Sequence, residues 1–105
     1  MANKDQLLSL LAHHQGEAQG ITSEGIAAAL DTNKREVRKL VTELRLSGVA
    51  VCGHPADGYY VAATPEELER TCQFLRSRAM RSLTLESMLR NVPLPDLLGQ
   101  LHLRT

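Results

Sequence analysis

Tryptophan is absent, and the aromatic stock stops at Phe74, Tyr59 and Tyr60. Single-strand and RNA-recognition sheets stack bases on aromatic rings, and that platform cannot be assembled from three of them. Net charge is missing too. Twelve Lys and Arg balance twelve Asp and Glu, which argues against indiscriminate coating of a polyanion. Cys52 and Cys72 have neither CxxC nor zinc-ribbon spacing, so both are expected as free, buried or half-buried thiols. No apolar run approaches the roughly 20 residues of a membrane span, and no basic segment followed by an apolar one opens the chain, so a cytoplasmic location is expected. A Gly-rich nucleotide loop, a Gly-x-Ser-x-Gly elbow and a His-Glu-x-x-His pair are all lacking. His13 and His14 are adjacent and would point about 100° apart on a helix, too far to share one ion. The chain is therefore expected to be non-enzymatic, with no cofactor and no metal.

What is present suffices for a packed core: 43% of the 105 residues are hydrophobic, so one compact domain can form without metal or disulfide staples. The neutral total hides an alternation. Lys and Arg counted against Asp and Glu leave −3 over residues 1–31, +3 over 32–54, −3 over 55–75 and +3 over 76–105. Two concentrated basic regions allow one face to attract phosphate while another stays acidic.

The first half reads helix, helix, helix, hairpin. Residues 4–14 carry Leu7, Leu8, Leu10 and Leu11 at helical spacing, and Gln15-Gly16 supplies a stop. Ser23 is the expected N-cap of a short helix over 24–30, with Ile26, Ala27 and Leu30 facing in. Asp31-Thr32 makes a tight turn. Asn33 and Glu36 then form a capping-box-like pair at the start of a helix that Gly48 ends. Residues 49–52 and 59–62 alternate as half-buried strands should, joined by the turn 53–58. Thr64-Pro65-Glu66-Glu67 opens a fourth helix with a hydroxyl cap, a proline at the first helical position and a returning Glu.

On a helical wheel of the third helix, Val37, Leu40, Val41 and Leu44 make one apolar stripe. Arg38, Thr42, Arg35 and Lys39 fall about 100° to 200° from Val37, with Lys34 at the exposed start. Arg, Lys and Thr are residue types that bond to phosphates and base edges, and a major groove about 12 Å wide accepts one helix. A short helix, a three-residue turn, this basic helix and a strand-turn-strand follow in the winged helix-turn-helix order.

The run ITSEGIAAALDTNKREVRKLVTELRLSGVAVCGHPADGYYVAA resembles the DNA-binding domain of the biotin operon repressor and related prokaryotic and phage winged-helix proteins. The matching features are Ile26-Ala27 with Leu30, Arg35 with Val37-Arg38-Lys39, Leu44-Arg45 with Gly48-Val49, and Gly58-Tyr59. The resemblance implies a mostly α fold with a small β-hairpin, a winged helix-turn-helix over residues 1–63 extended by an N-terminal helix and by a long C-terminal helical segment, 64–105. It also implies that Lys34, Arg35, Arg38, Lys39 and Thr42 contact duplex DNA, with His54 the one cationic candidate at the wing tip. Asp31 stands where the motif turn usually has glycine, and Asp tolerates the left-handed geometry needed there. The implied role is a dimeric transcriptional regulator of bacterial or phage type. The alternative is a winged-helix protein-interaction module acting as a small replication or assembly factor, because such folds serve both ends.

In the second half Leu68, Cys72, Leu75 and Ala79 have the 4-3-4 spacing of a helix–helix seam. The pattern then shifts to Leu85, Met88, Leu89 and Val92, which predicts a bend near 82–84. A homodimer through residues 64–105 is expected, since a two-fold dimer matches the half-sites of a palindromic operator. Arg76, Arg78 and Arg81 cluster between these two apolar blocks and read as a solvated face, the alternative being added phosphate contacts that flank DNA held by the third helix. Pro93 and Pro95 stop any long helix, and Leu94, Leu97, Leu98, Leu101 and Leu103 of the tail close over a core or meet a protein partner.

Overall fold

The computed structural model describes residues 2–54 and 58–103. Its described residues form a mostly α structure with a small hairpin: α1 (Lys4–Leu11), a 3₁₀ turn (Glu17–Gln19), α2 (Ser23–Ala29), α3 (Lys34–Leu46), β1 (Val51–His54), β2 (Gly58–Val61), α4 (Pro65–Arg90) and α5 (Leu94–Gln100). The chain divides into two compact units, Met1–Thr71 and Cys72–Thr105. The boundary falls inside α4, so the opening turns of that helix belong with the first unit.

In the first unit α1 starts on a full capping box: Asn3 Oδ1 accepts the Gln6 N–H at 2.9 Å and Gln6 Oε1 accepts the Asn3 N–H at 3.1 Å. It ends at Leu11, three residues before the expected stop. Leu7 and Leu11 are fully buried, whereas Leu8 is exposed. α2 is capped by Thr22, whose Oγ1 accepts the Gly25 N–H at 3.1 Å; the expected cap, Ser23, is buried one residue further on. The shift has a cause. Ile21 and Tyr59 exchange two backbone hydrogen bonds, of 2.8 and 2.7 Å, which holds Ile21 extended and leaves Thr22 as the residue where the chain turns.

Asp31 takes the left-handed conformation expected of it, φ 51°, and Asn33 then caps α3 by accepting the Glu36 N–H at 2.8 Å. Val37, Leu40, Val41 and Leu44 are the inward stripe. They join Leu7, Leu11, Ile26, Ala27, Val51 and Tyr59 in one aliphatic core closed by a single aromatic ring. α3 gives way at Ser47 and Gly48, the latter at φ 90°.

β1 begins two residues later than the alternation implied, because Val49 N–H still bonds back to the Leu44 carbonyl at 3.0 Å, whereas β2 begins one residue earlier, at Gly58. Pairing runs Val51 with Val61, Cys52 with Tyr60, Gly53 with Tyr59 and His54 with Gly58. Val51 and Tyr59 face the core; Cys52 and Tyr60, on the other face, are buried as well. Gly53 is required here, since its φ is 85° and a Cβ would strike the Gly58 carbonyl. The outer edge of β2 is not left open. Gly16 donates to the Val61 carbonyl at 2.8 Å, and Val61 donates to His14 at 2.9 Å, so with Ile21 the segment 14–21 covers the edge and prevents strand addition.

Several side-chain bonds tie the start of α4 to this unit, among them the Arg70–Glu17 ion pair at 2.8 Å. Thr71 Oγ1 accepts the Gly53 N–H at 3.1 Å, and the Glu67 carboxylate accepts the Glu17 N–H at 2.8 Å. Thr64 and Glu67 form the predicted capping pair, with Glu67 N–H to Thr64 Oγ1 and Thr64 N–H to Glu67 Oε1 both 3.2 Å.

In the second unit α4 continues unbroken to Arg90, and the bend expected at 82–84 does not occur. That stretch has no glycine or proline, and its hydroxyls fold back onto the helix: Thr84 donates to the Met80 carbonyl at 2.8 Å and Ser87 to the Thr84 carbonyl at 2.6 Å. Asn91 ends the helix in the left-handed region, φ 54°, with Val92 N–H reaching back to the Ser87 carbonyl at 3.0 Å. Pro93 then caps α5. Leu97 and Leu98 are buried, while Leu101 and Leu103 stay partly exposed. Cys72 is exposed, against expectation, and Cys52 is buried; both are free thiols.

Candidate nucleic-acid interface

The site begins with an underside. Val37 is fully buried and Leu40, Val41 and Leu44 are 2–3% exposed, so α3 cannot rotate about its axis without lifting four aliphatic side chains into water. At about 25 cal/mol per Å² of apolar surface that would cost several kcal/mol. The opposite face is thereby fixed outward. Lys34, Arg35, Arg38, Lys39 and Thr42 are all exposed, on the side where their spacing put them.

No ion pair among the described residues holds these cations. Among the described residues the salt bridges are Arg70 with Glu17 at 2.8 Å and Arg90 with Glu86 at 2.7 Å, and neither involves α3. Glu36 and Glu43 are half-buried on the helix, yet neither carboxylate bridges to a neighbouring Lys or Arg. Thr42 Oγ1 donates to the Arg38 carbonyl at 3.1 Å, which uses its proton and leaves its lone pairs to accept. The arrangement presents four formal positive charges, from Lys34 to Lys39, within less than two turns of helix, backed by a dry core.

Arg45, the fifth cation of the helix, does something else. Its Nε donates to the Val51 carbonyl at 2.8 Å and its Nη2 to the Gly53 carbonyl at 3.0 Å, and its guanidinium lies 5.9 Å from the Tyr59 ring centre. It fastens the end of α3 to β1. Sequence reasoning treated Arg45 as part of a resemblance and missed this role; an Arg in the last helical turn, just before a strand with a glycine, is the pattern that carries it. Burial raises the Tyr59 phenol above its ordinary range, opposed first by Arg45 and then by Arg38, so the hydroxyl stays neutral at physiological pH.

His54 ends β1 opposite Gly58, but its side chain and the turn 55–57 lie outside the described residues. The wing-tip contact expected of it therefore has no geometry to report. The first unit taken whole is nonetheless negative: residues 1–71 hold seven Lys and Arg, five of them in α3, and ten Asp and Glu. The Glu67 carboxylate lies below the usual glutamate range, chiefly because the Glu17 N–H and then the Ala63 N–H donate to it.

Nothing resembling a metal centre is formed: among the described residues no three His, Cys, Asp or Glu are grouped to hold an ion. His14 Nδ1 meets the Gln19 carbonyl at 2.7 Å, a contact that only a protonated Nδ1 satisfies. Among the described residues no helix is long and apolar enough to cross a membrane. The chain matches no protein-family model, no curated protein and no solved structure.

Proposed function

We propose that this protein binds duplex DNA through α3, as a winged helix-turn-helix regulator of bacterial or phage type acting in the cytoplasm. The observation that carries the reading is the outward face of Lys34, Arg35, Arg38, Lys39 and Thr42, free of acidic partners and rigidly backed. Further support comes from the element order: α2 and α3 joined by a turn with Asp31 left-handed, then the two-stranded hairpin, with Ile21 held to Tyr59 of β2 by an isolated bridge. A single helix with that face fits a major groove, its cations meeting phosphates and its Thr and Arg reaching base edges. In this reading the chain works as a homodimer, with the α4 row Leu68, Cys72, Leu75 and Ala79, all exposed, as the seam between copies.

The test is duplex binding measured across salt concentrations. Log affinity should fall linearly with log salt, by roughly 0.9 per phosphate neutralised. Arg38→Ala with Lys39→Ala should lower both affinity and slope. Failure to bind any duplex at low salt would refute the proposal and turn α3 toward an acidic protein instead. Sedimentation of Leu75→Asp beside the native chain tests the dimer, which should dissociate.

A further inference from the structure

The second unit is basic, and along part of α4 its large apolar side chains are exposed. Residues 72–105 hold five Lys and Arg against two acidic residues, Glu86 and Asp96. Along α4, Phe74, Arg78, Arg81, Leu85 and Met88 recur at 4-3-4-3 spacing, which keeps them within about 80° of one another for some 21 Å of helix. Leu89 lies alongside. Leu85, Met88 and Leu89 are 61%, 72% and 85% exposed, the three most solvent-exposed large hydrophobics of this unit. The better-buried residues of the same turns, Met80, Leu83 and Ser87, lie on the opposite side of the helix. Arg78 leans along the stripe, with its guanidinium 5.9 Å from the centre of the Phe74 ring.

A heptad-spaced row of this kind fits the ridge of another helix. A second copy of this chain is a poor occupant for it. Parallel pairing stacks each arginine on itself, and antiparallel pairing seats Arg78 against Met88 and Arg81 against Leu85. In neither register does a carboxylate of residues 72–105 come within reach, because Glu86 is engaged by Arg90 at 2.7 Å about a third of a turn away and Asp96 belongs to α5. Burying guanidiniums without acids is strongly unfavourable. Phosphate alone leaves the leucines and methionine uncovered, and a bilayer surface favours a wider apolar face with aromatic anchors.

We propose that the Phe74–Met88 face of α4 docks an amphipathic helix of a partner protein that carries Asp or Glu opposite Arg78 and Arg81 and apolar residues opposite Leu85 and Met88. The site is separate from α3, and its test does not depend on DNA binding.

The probe is a synthetic helix of about three heptads with Leu at its a and d positions and Glu at the two positions facing the arginines, compared with a twin carrying Lys there. Titrated against the full chain by calorimetry, the Glu helix should bind at least about tenfold more tightly than the Lys twin, a difference of about 1.4 kcal/mol. Arg78→Glu with Arg81→Glu should reverse that preference, and Leu85→Ser with Met88→Ser should abolish binding of either helix while the circular dichroism stays unchanged. Equal binding of the two helices, or none to the native chain, overturns the proposal. So does self-association or binding to anionic phospholipid vesicles that the Leu85→Ser, Met88→Ser variant loses, since each assigns the face to a different occupant.

Discussion

α3 and the second half of α4 use the same basic residue types to opposite ends. On α3 every aliphatic residue up to Leu44 is spent on the core, so from Lys34 to Thr42 the exposed side chains are cation and hydroxyl, and the one aliphatic exception on the helix is Leu46, 83% exposed in its last turn. On α4 beyond Phe74 the arginines alternate with exposed Leu and Met, and apolar side chains occur on two sides of the helix. The first pattern suits a partner made of charge, and the second a partner that is apolar and acidic together. A basic count does not distinguish them; the backing of each cation does.

The sharpest way to test that comparison is to cut the same side chain from both helices. Leu44→Ala removes a side chain 2% exposed in the core and should cost about 2 to 5 kcal/mol in urea unfolding. Leu89→Ala removes one that is 85% exposed, and its effect should stay within about 0.5 kcal/mol. Equal losses would mean that the α4 face is covered within the molecule.

A second contrast lies between two arginines of α3. Arg45→Ala should destabilise the fold by about 1 to 3 kcal/mol, because the Val51 and Gly53 carbonyls lose a charged donor in a partly buried setting. Arg38→Ala should leave thermal stability within about 0.5 kcal/mol and act on DNA binding only. In a salt titration, removing Arg38 and Lys39 together should reduce the slope by up to about 1.8. Removing Arg78 and Arg81 should leave that slope unchanged, and an equal reduction would assign both basic faces to one DNA surface.

The smallest expected effect concerns acid. Backbone donors hold the Glu67 carboxylate below its ordinary range, so the unfolded chain takes up that proton more readily than the folded one. The stabilisation is complete above the ordinary glutamate range and is lost as pH falls through and below it. Glu67→Gln should therefore flatten the acid limb of a stability-versus-pH curve in the first unit, leaving the neutral region with a modest, pH-independent loss.

Where local chemistry decides, the elements were legible in advance. Asn33, Gly48 and the Thr64–Glu67 pair mark helix ends by bonds made within three or four residues, and all three behave as their residue types require. Boundaries moved where a partner outside the local pattern intervened: Thr22 replaced Ser23 as a cap once Ile21 paired with the distant Tyr59, and β1 began later because Val49 was still held by Leu44, five residues back. The expected bend at 82–84 rested on a change of apolar phase. That change is instead the place where one continuous helix turns its apolar residues from one side to another.

By itself, then, the order of residues determined which face of α3 is apolar and which is basic, because a period of 3.6 residues sorts side chains before any packing occurs. Only the tertiary structure decided that Arg45 is a fastener rather than a contact, that the edge of β2 is covered by residues 14–21, and that Leu85, Met88 and Leu89 stay outside. The physical reason is common to all three. Each depends on which groups outside a single element meet or fail to meet, and neither periodicity nor capping chemistry, which act within one helix or strand, carries that information.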